Sequence, residues 1–147
     1  MIYFFTSGFF GVRIYIMKQF FTHKAPAPAG HYSQAVIHGN TIYVSGQLPV
    51  KPETAEKMTG EIEEQALQAL SNLKAIIEEA GGSLESVVRT TVYISDISLW
   101  DRVNTVYASF FGSHKPARSV VPSGRLHYGF LIEIDAVAAL TEKSKGG

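Results

Sequence analysis

Residues 60–80 form the segment that most restricts the fold of this 147-residue chain. Their apolar positions recur at spacings of three and four, which predicts an amphipathic helix. These positions are Ile62, Ala66, Leu70, Leu73 and Ile77. Acidic residues in the first turns favour the positive end of the helix dipole, and Gly81-Gly82 provides a stop. The length suits one domain, and 46% hydrophobic residues are enough to build one core.

Runs with β-strand character flank this helix on both sides. Residues 34–38 and 41–45 surround Gly39-Asn40 and predict a hairpin with a tight turn. Residues 48–53 contain two prolines, so that stretch is at best an edge strand or a loop. Further strands are predicted over residues 87–95, 117–121 and 130–140.

A second helix is predicted over residues 98–111, with Gly112 at its end. Ser98 is placed to cap it, with Asp101 three residues further on. Its expected apolar stripe consists of Trp100, Val103, Tyr107 and Phe110. Each helix connects two strands, which allows crossovers to parallel neighbours, whereas the hairpin is antiparallel. The sequence therefore predicts an α+β domain in which two helices cover one face of a mixed β-sheet.

The balanced charge argues against a dedicated nucleic-acid binder. Lysine and arginine together number 13, as do aspartate and glutamate, so the formal net charge is zero. Nucleic-acid binders usually carry a basic excess, because phosphate neutralisation supplies most of their affinity. The chain contains no cysteine, which excludes disulfides, thiolate metal sites and a cysteine nucleophile. This composition fits a cytoplasmic protein.

The first twenty residues differ from the rest of the chain. Residues 2–12 are almost wholly apolar, yet the run is too short for a membrane span and lacks the basic region and cleavage site of a secretory signal. The interpretation we favour is that Met17 is the true start of translation. We therefore expect an N-terminal extension over residues 1–20 and a single domain over residues 21–147. A membrane or export role and an additional packing segment are the alternatives.

Two charged residues are the strongest candidates for chemistry. Glu133 lies in an otherwise apolar strand, on the face opposite Ile132 and Ile134. If that face is buried, the pKa of the carboxyl group rises and the group becomes a base or acid near neutral pH. An ordinary solvated sheet face is the alternative. Arg118 begins a strand, where its guanidinium either holds a carboxylate with two parallel hydrogen bonds or simply lies at the surface.

Other polar residues give weaker signals. Tyr32, Ser45 and Asn104 lie beside turns or on a helix, where such residues are most often caps or satisfied hydroxyl groups. The five histidines show no metal-ligand spacing, and the chain has no phosphate-binding loop. From these residues alone, the sequence predicts a domain with a few candidates and no assigned reaction.

Several motifs follow one another along the chain. The C-terminal ones are Pro116-Ala117-Arg118-Ser119-Val120-Val121, Gly124-Arg125-Leu126 and Ile132-Glu133-Ile134. The others occupy residues 27–35, 42–49, 65–73, 90–93 and 103–111. Together, over residues 24–140, they resemble the RidA/YjgF family in its own motif order. That family is also called the reactive intermediate deaminases or the L-PSP endoribonuclease family.

The resemblance implies a chorismate-mutase-like α+β fold, assembled as a homotrimer with sites in the clefts between subunits. The family's carboxylate-binding arginine falls on Arg118 and its water-orienting glutamate on Glu133. Its further substrate-binding positions fall on Tyr32, Ser45, Gly46, Asn104 and Val120. The implied reaction converts reactive 2-imino or enamine acids, such as 2-iminobutanoate and 2-iminopropanoate, to 2-keto acids and ammonia. It requires no metal or organic cofactor, because water attacks a carbon that is already electrophilic.

Two positions depart from the family pattern. Val120 stands where many members have cysteine, which removes a thiol role, and His31 stands where many have proline. The presence of His31 is expected to alter substrate choice or to give some pH sensitivity. Two other functions stay open: a regulatory trimer that binds small carboxylates without turnover, and the ribonuclease or translation inhibitor that the family's older name suggests. The balanced charge weighs against RNA, and we expect no nucleic-acid or membrane partner.

Overall fold

The computed structural model describes residues 16–141, which contain six β-strands and two α-helices. The strands are β1 (Lys18–Phe20), β2 (Ala35–His38), β3 (Thr41–Gln47), β4 (Val87–Ile94), β5 (Ala117–Pro122) and β6 (Ile132–Ala139). The helices are α1 (Ile62–Ala80) and α2 (Trp100–Phe111). Single 3₁₀ turns cover Leu84–Ser86, Ile97–Leu99 and His127–Gly129.

The six strands form one mixed sheet in the order β1-β2-β3-β6-β4-β5. Neighbours β4 and β5 are parallel, and the other neighbouring pairs in the described range are antiparallel. Helix α2 connects β4 to β5, whereas α1 crosses from β3 to β4 over the intervening strand β6. Strand β6 is therefore the central element of the sheet, and the predicted mixed α+β architecture is confirmed.

The hydrophobic core lies between the two helices and one face of the sheet. Helix α1 buries all five of its predicted apolar positions. From the sheet, the alternate residues Ile132, Ile134, Ala136 and Ala138 are at most 2% exposed, as the period of two along a strand requires. Glu133 and Asp135 consequently face away from the helices. Helix α1 ends as predicted at Gly81, whose φ of 102° is left-handed and suits glycine.

The start of α2 differs from the prediction. Ser98 lies in the 3₁₀ turn before the helix, and Asp96 caps that turn because its Oδ1 accepts a hydrogen bond from Ser98 N at 2.8 Å. The predicted Ser98 cap is therefore wrong. The buried stripe of α2 also shifts by one residue at its end: it contains Val103, Tyr107 and Phe111, while Trp100 is 39% exposed and Phe110 is only partly buried.

Strand β1 lies within the segment assigned to an N-terminal extension, where no strand is predicted. It pairs with β2, with Phe20 opposite Ala35, and Phe20 packs against the core. Three residues are too few to show a strand period in the sequence. Residues 1–15, which contain the whole apolar run and all but the last residue of the segment expected to precede a true start at Met17, lie outside the described residues. Within residues 16–141, neither helix is long and apolar enough to cross a membrane.

Candidate active site

Glu133 lies on the sheet face away from the helices, opposite an irregular part of β3. The register between β3 and β6 shifts between Val44 and Gln47, and this bulge sets Gly46 against the glutamate. A Cβ atom on Gly46 would clash with Glu133 Oε1 and would lie 2.9 Å from Glu133 Cδ. The missing side chain of Gly46 therefore makes the room that the carboxylate occupies.

A small pocket surrounds this carboxylate. It is lined by Tyr32, Ser45, Gly46, Leu48, His127 and Glu133. Ser45 Oγ donates to the Ser33 carbonyl at 2.7 Å, and the Tyr32 hydroxyl accepts from Ala29 N at 3.2 Å. The backbone before β2 thus fixes both hydroxyl groups. The structure brings together four predicted site residues, Tyr32, Ser45, Gly46 and Glu133, which we name the glutamate half-site.

The pKa of the Glu133 carboxyl group is raised above its ordinary value. Burial is the largest cause, because a half-buried carboxylate loses hydration. The positive charge of His127 lowers this pKa and the negative charge of Asp135 raises it, both by smaller amounts. Glu133 is therefore a stronger base than an exposed glutamate, which suits proton transfer near neutral pH.

Arg118 lies in β5, under α2. It pairs with Thr90 of β4, a residue that is fully buried beneath the helices. Its Nη2 donates to Asn104 Oδ1 at 3.0 Å. The guanidinium carbon lies 4.6 Å from the centre of the Tyr107 ring and 5.8 Å from that of the Trp100 ring. A guanidinium has five N–H donors, so this holding arrangement leaves donors for a ligand.

A cleft beside Arg118 runs between α2 and the start of β5. Its lining includes Asn104, Tyr107, Lys115, Pro116 and Arg118. The basic side chains of Lys115 and Arg118 therefore border this open cleft. Among the described residues, its lining includes no aspartate or glutamate. We name Arg118 and Asn104 the arginine half-site.

Arg118 and Glu133 are separated within one chain. On β4, Arg118 pairs with Thr90 and Glu133 pairs with Tyr93, three residues later and from the other side of the strand. Strand geometry places their Cα atoms about 14 Å apart, with side chains on opposite faces of the sheet. The predicted site residues other than Val120 therefore form two half-sites that do not meet within one chain.

Comparison with known proteins gives the family. Residues 22–140 match the family described as Endoribonuclease L-PSP. The chain belongs to the RidA/YjgF family. A RutC family protein of Pyrococcus abyssi is 50% identical over 118 residues, which are 80% of this chain and 93% of that protein. The 2-iminobutanoate/2-iminopropanoate deaminase of Escherichia coli is 44% identical over 124 residues, which are 82% of this chain and 96% of that deaminase.

A solved structure agrees with the fold of this RidA/YjgF chain. The crystal structure of Escherichia coli TdcF with bound serine matches it with a TM-score of 0.80 at 37% identity. The match covers 84% of this chain and 99% of TdcF. At this identity the likeness extends beyond architecture to the family, and the serine in that crystal is a small amino acid bound by TdcF.

The remaining predicted residue, Val120, lies in neither half-site. It pairs with Val92 of β4, shares the helix-facing side with Arg118, and packs against the core. Sequence reasoning missed His127 beside Glu133, and it missed the rings of Tyr107 and Trp100 beside Arg118. The sequence pattern marks Tyr107 and Trp100 only as apolar positions of a helix. His127 lies in a 3₁₀ turn, and such a turn has no sequence periodicity that would predict its position beside Glu133.

The two half-sites offer complementary chemistry to a RidA/YjgF ligand. The arginine half-site has a fixed cation with donors that match a carboxylate, and the glutamate half-site has a basic carboxylate in a small pocket. Across residues 16–141, no three His, Asp or Glu side chains are grouped so as to hold a metal ion. The cation of one half-site and the basic carboxylate of the other suit acid–base chemistry on a small anionic substrate.

Proposed function

We propose that this protein hydrolyses reactive 2-imino acids and their enamine tautomers to 2-keto acids and ammonia, at sites between the subunits of a homotrimer. The placement of Arg118 and Glu133 on opposite sheet faces carries the proposal. Each half-site is held by its own neighbours, yet each lacks the other's charge. A neighbouring subunit that sets its arginine half-site against the glutamate half-site would complete the site. The activity named for the Escherichia coli relative supports the same reaction.

The reaction needs a fixed substrate and an activated water. Arg118 would hold the substrate carboxylate through two parallel N–H···O bonds, and its charge would draw electron density from the imine carbon. Glu133 would accept a proton from water while the water oxygen bonds to that carbon and the imine nitrogen takes up a proton from solvent. Asn104 would keep Arg118 oriented throughout.

The second half of the reaction releases the products. The carbinolamine formed by water carries a hydroxyl group and an amine on one carbon. Once the amine has gained a proton from Glu133 and the hydroxyl group has lost one to solvent, the C–N bond breaks, ammonia leaves, and the oxygen becomes the carbonyl of the 2-keto acid. Glu133, with its raised pKa, is suited to return the proton that it took from water. No net oxidation occurs, and water is the only co-substrate.

The test is keto-acid formation from freshly generated 2-iminobutanoate. Wild-type protein should accelerate it above the rate in buffer, and Arg118→Ala and Glu133→Gln should each lose roughly 10²-fold or more of that acceleration. Arg102→Ala is the matched control, since this exposed arginine of α2 pairs with Glu61 and Glu63 away from both half-sites. A folded wild-type trimer that leaves the buffer rate unchanged would overturn the proposal.

A binding function without turnover is the second candidate. The free N–H donors of Arg118 favour it, as does the serine bound in TdcF. Both candidates predict that 2-keto acids bind and that Arg118→Ala weakens their binding. Turnover separates them: Glu133→Gln abolishes a measured acceleration in the enzyme, whereas a pure binding protein has no acceleration to lose.

A further inference from the structure

A second cavity adjoins the pocket of Glu133. Its volume is about 270 Å³, and Tyr32, Gly46 and Leu48 line both spaces. The rest of its wall comes mainly from two loops, residues 26–29 before β2 and residues 50–57 after β3, and from Tyr128. The cavity therefore lies next to the pocket in which a substrate would meet Glu133.

Both loops that form this cavity are held by buried amide side chains. Gln34 is 2% exposed, and its Nε2 donates to the carbonyl groups of Ala25 and Pro26 at 3.2 and 2.8 Å. Asn72 of α1 is 1% exposed, and its Nδ2 donates to the carbonyl groups of Leu48 and Val50 at 3.1 and 2.8 Å. Buried amides that satisfy loop carbonyls fix the shape of both walls. The cavity is a preformed part of the fold.

The wall is mostly apolar and also contains two basic groups. Apolar side chains come from Ala27, Leu48, Val50 and Pro52, and the cavity lining includes Lys51 and Lys57 as its charged residues. Lys57 Nζ lies 4.0 Å from the centre of the Tyr128 ring, a cation–π contact that occupies this amine. Lys51 Nζ binds Glu56 Oε2 at 2.7 Å. Apart from these two amines and the glutamine side chains of the lining, the surface offered to a ligand is aliphatic and aromatic.

We propose that this cavity is the subsite for the substrate side chain, and that the protein prefers 2-imino acids with large apolar side chains, branched or aromatic, over 2-iminopropanoate. The inference rests on the proposed hydrolysis of 2-imino acids. An engineered apolar cavity of about 150 Å³ holds benzene, so the present volume has room for a benzyl or isobutyl group. The methyl side chain of 2-iminopropanoate bound beside Glu133 would leave this cavity empty.

The test compares imines generated from alanine, 2-aminobutyrate, leucine and phenylalanine by an amino-acid oxidase. Burial of one methylene raises a binding constant about fourfold, so kcat/KM should rise along the series, and the phenylalanine-derived imine should exceed 2-iminopropanoate by about tenfold or more. Ala27→Phe puts a ring at the cavity wall from an exposed loop position and should lower this ratio several-fold. Glu53→Phe adds the same ring to the neighbouring loop outside the cavity lining and should leave the ratio unchanged.

Binding of the product 2-keto acids gives a readout without turnover. Calorimetry should show tighter binding of phenylpyruvate than of pyruvate to wild-type protein, and Ala27→Phe should remove the difference while the thermal unfolding midpoint stays near that of wild type. Acceleration of 2-iminopropanoate hydrolysis with a flat or falling series would overturn the subsite and leave the proposed function standing. Absence of turnover on every imine would overturn the proposed function, and the ratio of the two keto-acid affinities would then decide for or against the subsite.

Discussion

Arg118 and Glu133 leave the sheet on opposite faces, on strands that flank β4 on either side. Each has its own support: Arg118 has Asn104 and the Tyr107 ring, and Glu133 has the space opposite Gly46. A rotamer change cannot bring them together, because the sheet and its buried core face lie between them. Joint action on one small molecule therefore requires a second copy of the chain.

This separation predicts complementation between two inactive variants. Trimers assembled from an equal mixture of Arg118→Ala and Glu133→Gln subunits contain some interfaces where an intact arginine faces an intact glutamate. Random assortment gives such a pair in about one quarter of the sites of a cyclic trimer. Keto-acid formation by the mixture should thus recover to about a quarter of the wild-type rate, whereas each variant alone stays inactive. Mixed trimers verified by mass spectrometry that remain inactive would contradict a shared site.

Gly46→Ala is expected to damage activity far more than stability. The added Cβ would clash with Glu133 Oε1, and the end of a flexible side chain can move away at little energetic cost. In the proposed mechanism the carboxylate is then displaced from the water that it would activate, and a displacement of about 1 Å can cost roughly 10²-fold in rate. Rates and thermal unfolding midpoints measured on the same samples check this. A large loss of stability with normal activity per folded molecule would show that Gly46 has another role.

Local sequence patterns predict much of this fold and the sheet face of Glu133, but not the sheet face of Arg118. The period of α1 and the alternation of β6 fix which residues are buried, and alternation within β6 sets Glu133 apart from Ile132 and Ile134. Alternation cannot relate two strands, however. The face taken by Arg118 depends on the register of β5 on β4 and on where α2 lies. These are long-range contacts, so the division into half-sites is visible only in the folded chain.

The pH dependence of activity should respond to the charges beside Glu133. Because the pKa of Glu133 is raised mainly by burial, the acid limb of kcat/KM should lie above the ordinary range of a glutamate. Asp135→Asn removes a negative charge that raises this pKa, so the limb should move to lower pH. His127→Gln removes a positive charge that lowers it, so the limb should move to higher pH. Shifts of both variants in the same direction would contradict the assignment of the limb to Glu133.

The ionised form of Glu133 should also lower the free energy of unfolding at neutral pH. Its folded-state pKa is raised, so its favourable contribution is present below the unfolded-state pKa and is lost as the pH rises through the folded-state pKa. Glu133→Gln removes this charge and should unfold at a higher temperature than wild type at about pH 8, with the difference shrinking toward about pH 4. Exposed Glu53→Gln serves as the control and should show no such trend. If the difference in unfolding temperature between Glu133→Gln and wild type is the same at every pH, then ionisation of Glu133 does not cause that difference.

Asn104 is expected to act on substrate binding through Arg118. Its Oδ1 accepts a hydrogen bond from Arg118 Nη2 at 3.0 Å, and a hydrogen bond to a charged group contributes about 1.5–3 kcal/mol. Asn104→Ala should therefore raise KM by roughly tenfold or more with a smaller change in kcat. Asn104→Asp should be worse, because its carboxylate would compete with the substrate carboxylate for the guanidinium. Thr105→Ala, at the exposed neighbouring position whose hydroxyl only bonds to the Asp101 carbonyl of the same helix, should leave both constants unchanged. If Asn104→Asp binds 2-keto acids more tightly than Asn104→Ala, then Arg118 is not the group that holds the carboxylate.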